Sequence, residues 1–198
     1  MHRLYRLADA IDRLSERLGR GVSWLVLAMV LVGAANAVGR YGGRFLGINL
    51  SSNAALELQW YLFSLVFLLA AGYTLKRDSH VRVDVIYGRL SAKARSWIDL
   101  LGGVLFLLPF CVFSLWVSWP SVRNSWAVWE QSPDPGGLAR YPLKSVILVA
   151  FALLALQGLA QVIHSVGALR GDLPTLEVEE ADGPAPGSRE ASGGEPHL

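Results

Sequence analysis

The sequence predicts an all-α membrane protein: four transmembrane helices, with amphipathic interfacial helices at the N-terminus and in the centre of the chain. Three observations carry that reading. Apolar residues make up 53% of the 198 residues and charged residues only 17%, a composition outside the ordinary soluble range. Four stretches lack any formal charge and are each long enough, at a 1.5 Å rise per residue, to cross most of a hydrocarbon layer about 30 Å thick. The basic residues cluster in alternate connecting segments, as the positive-inside rule requires of a multi-pass protein. One compact bundle is expected over residues 21–170, with spans at 21–39, 57–75, 97–119 and 143–166, an N-terminal helix over 1–20 and a tail over 171–198.

The first twenty residues place Leu4, Leu7, Ile11, Leu14 and Leu18 at helical spacing, among Arg3, Arg6, Arg13, Arg17 and Arg20 and three acids. This pattern predicts an amphipathic helix at the headgroup surface. The first span follows, with Trp24 near its inner boundary and Gly33 and Ala37 as a pair of small residues one turn apart, where a second helix can approach closely. Ala35-Asn36-Ala37 imitates a signal-peptidase site. A leader carrying Asp9, Asp12 and Glu16 would be unusual, so the span is read as retained.

A loop from Arg40 to Asn53, rich in glycine, reads as periplasmic and leads to the second span after Glu57. Beyond it Lys76, Arg77, Arg82, Arg89, Lys93 and Arg95 mark a cytoplasmic segment. Within that segment Val83, Ile86, Tyr87, Leu90 and Ala94 share one helical face, which predicts a helix lying in the headgroup plane. Ser79 is placed to cap it and Ser91 to cap the helix entering the third span. That span carries Pro109 near its middle, where a kink is expected. Pro120 to Pro142 then forms the longest loop, and Trp126 and Trp129, three apart, suggest a short helix on the outer surface. The fourth span follows Lys144, with His164 near its inner end. After Gly171 the chain turns to Pro, Gly, Glu and Ser, the composition of a disordered tail. The Lys and Arg distribution puts both termini on the cytoplasmic side.

The inventory of chemistry is short. The chain contains no phosphate-cradling glycine loop, nucleophile elbow or zinc-ligand spacing, and a non-enzyme is expected. A net charge of +2 gathered at membrane flanks gives no footprint for nucleic acid. The single Cys111 lies in an apolar run and reads as a small core residue. A haem-binding anchor of a redox enzyme is the first alternative for four helices. It needs facing histidines, whereas His2 and His197 are terminal, His80 is in the basic segment and only His164 is near a span. The polar residues of the spans, Asn36, Gln59, Ser64, Ser114, Gln157 and Gln161, form no cluster at mid-depth, and each reads as an interhelical hydrogen-bonding group. Glu57 and Asp99 sit at span ends, open to solvent, to intrachain cations (Arg40, Arg44 or Arg123 for Glu57) or to a partner subunit.

One resemblance adds to this. Glu57-Leu-Gln-Trp-Tyr-Leu-Phe63, then Tyr73-Thr-Leu-Lys-Arg-Asp-Ser-His-Val-Arg-Val-Asp-Val-Ile-Tyr87, then Arg95-Ser-Trp-Ile-Asp-Leu-Leu101 resembles the DctQ-like small membrane subunit of TRAP transporters, over roughly Gly21 to Gly167. The string from Ser132 to Leu138, with Pro142 and Lys144, looks like the branch for larger organic anions. The resemblance implies a scaffold subunit in the bacterial inner membrane. It also implies a DctM-like large subunit holding sodium and substrate, a DctP-like periplasmic binding protein, and surrounding lipid. No cofactor is expected on this chain. The positions it marks as partner contacts are Glu57, Gln59, Trp60 and Tyr61 in the second span and His80, Arg82 and Asp84 in the basic segment. Trp126 and Trp129 join them as anchors on the outer side.

Overall fold

The computed structural model describes residues 2–48, 52–77 and 90–171, and these are helical throughout apart from short connections. Helix α1 runs His2–Leu46, α2 Asn53–Lys76, α3 Ala92–Gly102, α4 Leu108–Ala127 and α5 Tyr141–Arg170, with a π-helical turn at Gly103–Leu107 joining α3 to α4. Four helices are long and apolar enough to cross a membrane: α1, α2, the continuous α3–α4 rod and α5. The fold class read from the sequence is the one observed.

Helix α5 is the hub, and α1, α2, α3 and α4 all pack on it. Its buried positions are small or polar: Ala150, Gln157, Gly158, Ala160, Ser165 and Gly167. Helices in lipid gain little from apolar contact as such, so small residues that let backbones approach supply the packing. Gly158 lies under Leu107 and Leu108, and Gly103 faces Val162. The large apolar residues point outward instead: Trp24, Phe67, Phe106 and Trp116 are each more than 70% exposed. A soluble monomer would not tolerate that much apolar surface, but a lipid-facing bundle requires it.

Several element boundaries differ from the sequence reading. The break expected near Arg20 is absent, because α1 carries the N-terminal segment and the first span in one helix. Helix α1 also continues through the expected Arg40–Asn53 loop to Leu46. It ends where Gly47 takes φ 69° and Ile48 N–H reaches back to Gly43 O at 3.0 Å, a left-handed glycine cap. A π turn stands just before Pro109, where the sequence predicts a kink, and in it Leu108 N–H bonds Gly103 O. Such a turn shifts the carbonyl register by one residue, so the missing proline N–H is absorbed. Pro120 does not end the helix. Helix α4 runs on to Ala127, so Trp126 occupies its last turn and Trp129, at φ 48°, lies past its end. These tryptophans do not form a separate surface helix. Ser91 caps α3 as expected, accepting from Ala94 N–H at 3.3 Å. Ser79, the central interfacial helix and the tail from residue 172 lie outside the described residues.

Candidate functional site

Two polar clusters tie the bundle together, one at each end. At one end the connection between α4 and α5 folds down onto α2. Glu57, only 4% exposed, accepts from the Ser132 hydroxyl and, at 2.5 Å, from Leu138 N–H. One turn further along α2, Tyr61 OH reaches Leu138 O at 3.3 Å and Ala139 O at 3.2 Å, and Asn53 donates to Pro135 O at 3.1 Å. The loop makes the turn that this needs because Gly136 adopts φ 72°, where a side chain would be strained. Beside it Glu130 bonds the Lys144 ammonium and the Ser125 hydroxyl, the latter at 2.6 Å. Trp126, Trp129 and Tyr141 form an edge-to-face trio, and Trp126 Nε1–H donates to Ser145 Oγ at 2.7 Å.

At the other end, a chain of side chains crosses from α1 to α5. Ser15 donates to Gln157 Oε1 at 2.6 Å, and Gln157 Nε2 donates to Asp12 Oδ1 at 2.7 Å. Asp12 Oδ2 lies 2.9 Å from His164 Nε2. An ionised carboxylate only accepts, so His164 carries its hydrogen on Nε2. Glu16 meanwhile pairs with Lys76 at 2.8 Å and Arg77 at 2.7 Å on the end of α2. His164 is thus a hydrogen-bonding residue of a helix interface.

The predicted contact residues divide accordingly. Glu57 and Tyr61 turn inward to the loop, and Gln59 lies against Gly33, within 2.7 Å of where a Cβ there would sit. This realises the close approach expected at Gly33. Trp60 is 68% exposed and faces away from the bundle. Trp126 and Trp129 stack on Tyr141, although their outer faces stay open. His80, Arg82 and Asp84 lie outside the described residues. The pairings considered for Glu57 with Arg40, Arg44 or Arg123 do not form, because Ser132 and Leu138 occupy both of its oxygens.

Sequence reasoning missed Asp12, Ser15 and Glu16 as structural groups. The ridge Ala8, Ser15, Gly19, small residues at helical spacing beside two acids, was the available signal. Among the described residues no cluster of three metal-ligating side chains occurs. An open groove of about 490 Å³ on the third span is lined by Val104, Leu108, Pro109, Val112, Phe113 and Trp116. With the Trp116 indole N–H as the one polar side-chain group in that lining, it offers little to replace the hydration of a solute.

A family model described as "Tripartite ATP-independent periplasmic transporters, DctQ component" matches residues 29–167. The chain belongs to the DctQ family. Neither the curated proteins nor the solved structures gave a match. As a DctQ component it is the small membrane subunit of a TRAP transporter, and a redox anchor is not the favoured reading. The match does not support assignment to the branch for larger organic anions. The Ser132–Leu138 string suggested that branch, but the string has a structural account of its own as the clamp on α2.

Two expected results follow from the clamp. Glu57→Ala leaves the Ser132 hydroxyl and the Leu138 N–H without their acceptor, at a cost of about 1–3 kcal/mol for a shielded pair. Hydrogen exchange at Leu138 should accelerate at least tenfold, about 1.4 kcal/mol, while exchange in the middle of α5 is unchanged. Unaltered exchange at Leu138 would contradict the clamp. Glu130 gives a pH dependence. The Lys144 ammonium, and then the Ser125 hydroxyl, hold its carboxyl below the ordinary 4.5. A depressed native value means that its contribution is complete above the ordinary carboxylate range and is lost as pH falls through that lower value. Trp126 and Trp129 fluorescence should therefore change on acidification below about pH 4.5, and Glu130→Gln should abolish that transition.

Proposed function

We propose that this DctQ component is the non-catalytic scaffold of a tripartite, sodium-coupled importer of an organic anion such as a carboxylate, in the bacterial inner membrane. The DctM-like large subunit carries sodium and substrate. The DctP-like binding protein delivers substrate from the periplasm. Both termini of the small subunit and the Lys76–Arg95 segment face the cytoplasm, in keeping with the basic bias of those segments. Supporting a scaffold role above all is the use made of polar groups within the spans. Gln157 is committed to Ser15 and Asp12, Asn36 accepts from Ser52 N–H at 3.3 Å, and Ser64 bonds Trp60 O at 2.9 Å. A solute pathway needs such groups turned toward a cavity, whereas Gln157 and Asn36 tie separate elements together and Ser64 bonds back within its own helix. The outer clamp presents the exposed faces of Trp126 and Trp129 as a fixed surface for the loaded binding protein.

Reconstitution tests the proposal. The small subunit alone should give no sodium-driven uptake, whereas the small and large subunits with the binding protein should. Uptake by the small subunit alone would overturn the scaffold reading. In the complete system, Trp126→Ala with Trp129→Ala should lower uptake while the membrane pair still co-purifies. Single-cysteine labelling in a Cys111→Ala chain should reach position 134 from the periplasm and leave position 78 unlabelled. The reverse pattern would invert the topology.

A further inference from the structure

The first half of α1 carries a feature that neither the clamp nor the inner cluster uses. At 100° per residue Arg3, Arg6, Arg13, Arg17 and Arg20 fall within an arc of about 100°, and all five are exposed. They lie opposite the buried ridge Ala8, Ile11, Ser15, Gly19 and Val22. None has an ion-pair partner among the described residues. The acids nearest in sequence are otherwise engaged: Glu16 with Lys76 and Arg77, Asp12 with Gln157 and His164. Asp9 lies at the edge of the arc. Leu7 and Leu14, 54% and 42% exposed, border it on the other side. The result is a basic stripe about 26 Å long with an apolar margin.

The same chain supplies the complementary chemistry. After Gly171 come Asp172, Glu177, Glu179, Glu180 and Asp182 before the next base, Arg189, interleaved with Leu173, Leu176 and Val178. Helices α1 and α5 run antiparallel, since Ala8 and Ile11 meet Ala160 and Ile163 while Ser15 and Asp12 meet Gln157 and His164. Continuing that register, Gly171 emerges beside the first turn of α1. From there the chain, at up to about 3.3 Å per residue, has the reach to set the acidic positions 177–182 alongside Arg13, Arg17 and Arg20. Both segments also lie outside the matched residues 29–167. We propose that the arginine stripe of α1 is the docking surface for the chain's own acidic segment 172–198.

The test places one cysteine at Ala10, which is exposed on the stripe, and one at Thr175, the tail position that an extended chain brings level with it, in a full-length Cys111→Ala chain held in zwitterionic nanodiscs. A control chain pairs Thr175→Cys with Lys93→Cys, which is exposed at the same end of the bundle on α3. Docking predicts a cross-link at Ala10 at least about fivefold stronger than at Lys93. That excess should vanish in about 1 M salt, where the Debye length is about 3 Å. It should vanish equally with Arg6→Gln, Arg13→Gln and Arg17→Gln combined. Equal cross-linking at the two positions, or an excess indifferent to salt and to the arginines, overturns the proposal. So does loss of the excess when phosphatidylglycerol is added to the discs, which would make the stripe a headgroup site, or when the large subunit binds, which would make it a subunit contact.

Discussion

Gly19→Ala should destabilise the bundle by about 1–3 kcal/mol, the range for overpacking a close contact, whereas Gly33→Ala should be near neutral. Both glycines lie on the face of α1 that meets α2, and in both the new methyl gains helix propensity of up to about 1 kcal/mol. What separates them is the neighbour. A Cβ on Gly19 would sit 2.4 Å from Tyr73 Cγ and 2.5 Å from Cδ2, at the root of a ring that cannot bend away. Arg77 stacks over that ring with its guanidinium carbon 5.5 Å from the centroid, which limits the room for the tyrosine to rotate. A Cβ on Gly33 would meet the amide end of Gln59 at 2.7 Å, and that flexible tip can swing aside. Thermal unfolding in detergent should therefore rank wild type and Gly33→Ala together and Gly19→Ala well below. Equal midpoints for the two variants would mean that α1 and α2 are not held at this separation.

This contrast also marks how much of the molecule could be read in advance. The four spans were legible because each is bounded by charges and carries none for about 18 residues or more. Their ends were not, since Gly47 and Pro120 are each compatible with stopping or continuing a helix. Helix α1 passes Gly42 and Gly43 to stop only at Gly47, and α4 passes Pro120 altogether. The amphipathic character of residues 2–20 was visible, but not which of its faces meets the bundle. The leucines define the apolar side, yet Leu4, Leu7 and Leu14 are exposed and the buried ridge is Ala8, Ile11, Ser15 and Gly19. Among membrane helices close backbone approach outweighs side-chain size. Glu57 was recognisable as a charge at a span end, but its partners lie 75 and 81 positions away. Nothing in the local pattern could point to Ser132 or Leu138.

Asp12→Ala should cost about as much as any single change at its end of the bundle, roughly 1–3 kcal/mol, because two buried or half-buried groups lose their acceptor together. Gln157 Nε2 and His164 Nε2 both point at this carboxylate, and Gln157, only 2% exposed, has no access to water in its place. Asp12→Asn keeps an acceptor oxygen for one of the two and should cost less than Asp12→Ala. Removing His164 as well as Asp12 should cost less than the sum of the single changes, with a coupling of about 0.5–3 kcal/mol. The Glu16 pairs with Lys76 and Arg77 are more exposed and should contribute less than about 1 kcal/mol, so Glu16→Gln is the appropriate comparison. Unfolding midpoints of the single and double variants supply the cycle. If the changes at positions 12 and 164 were additive, the 2.9 Å contact would carry no energy and α1 would be held to α5 by the Ala8–Ala160 packing and the hydrogen bonds of Gln157. A measurable coupling instead makes the N-terminal extension of α1 an integral part of the scaffold.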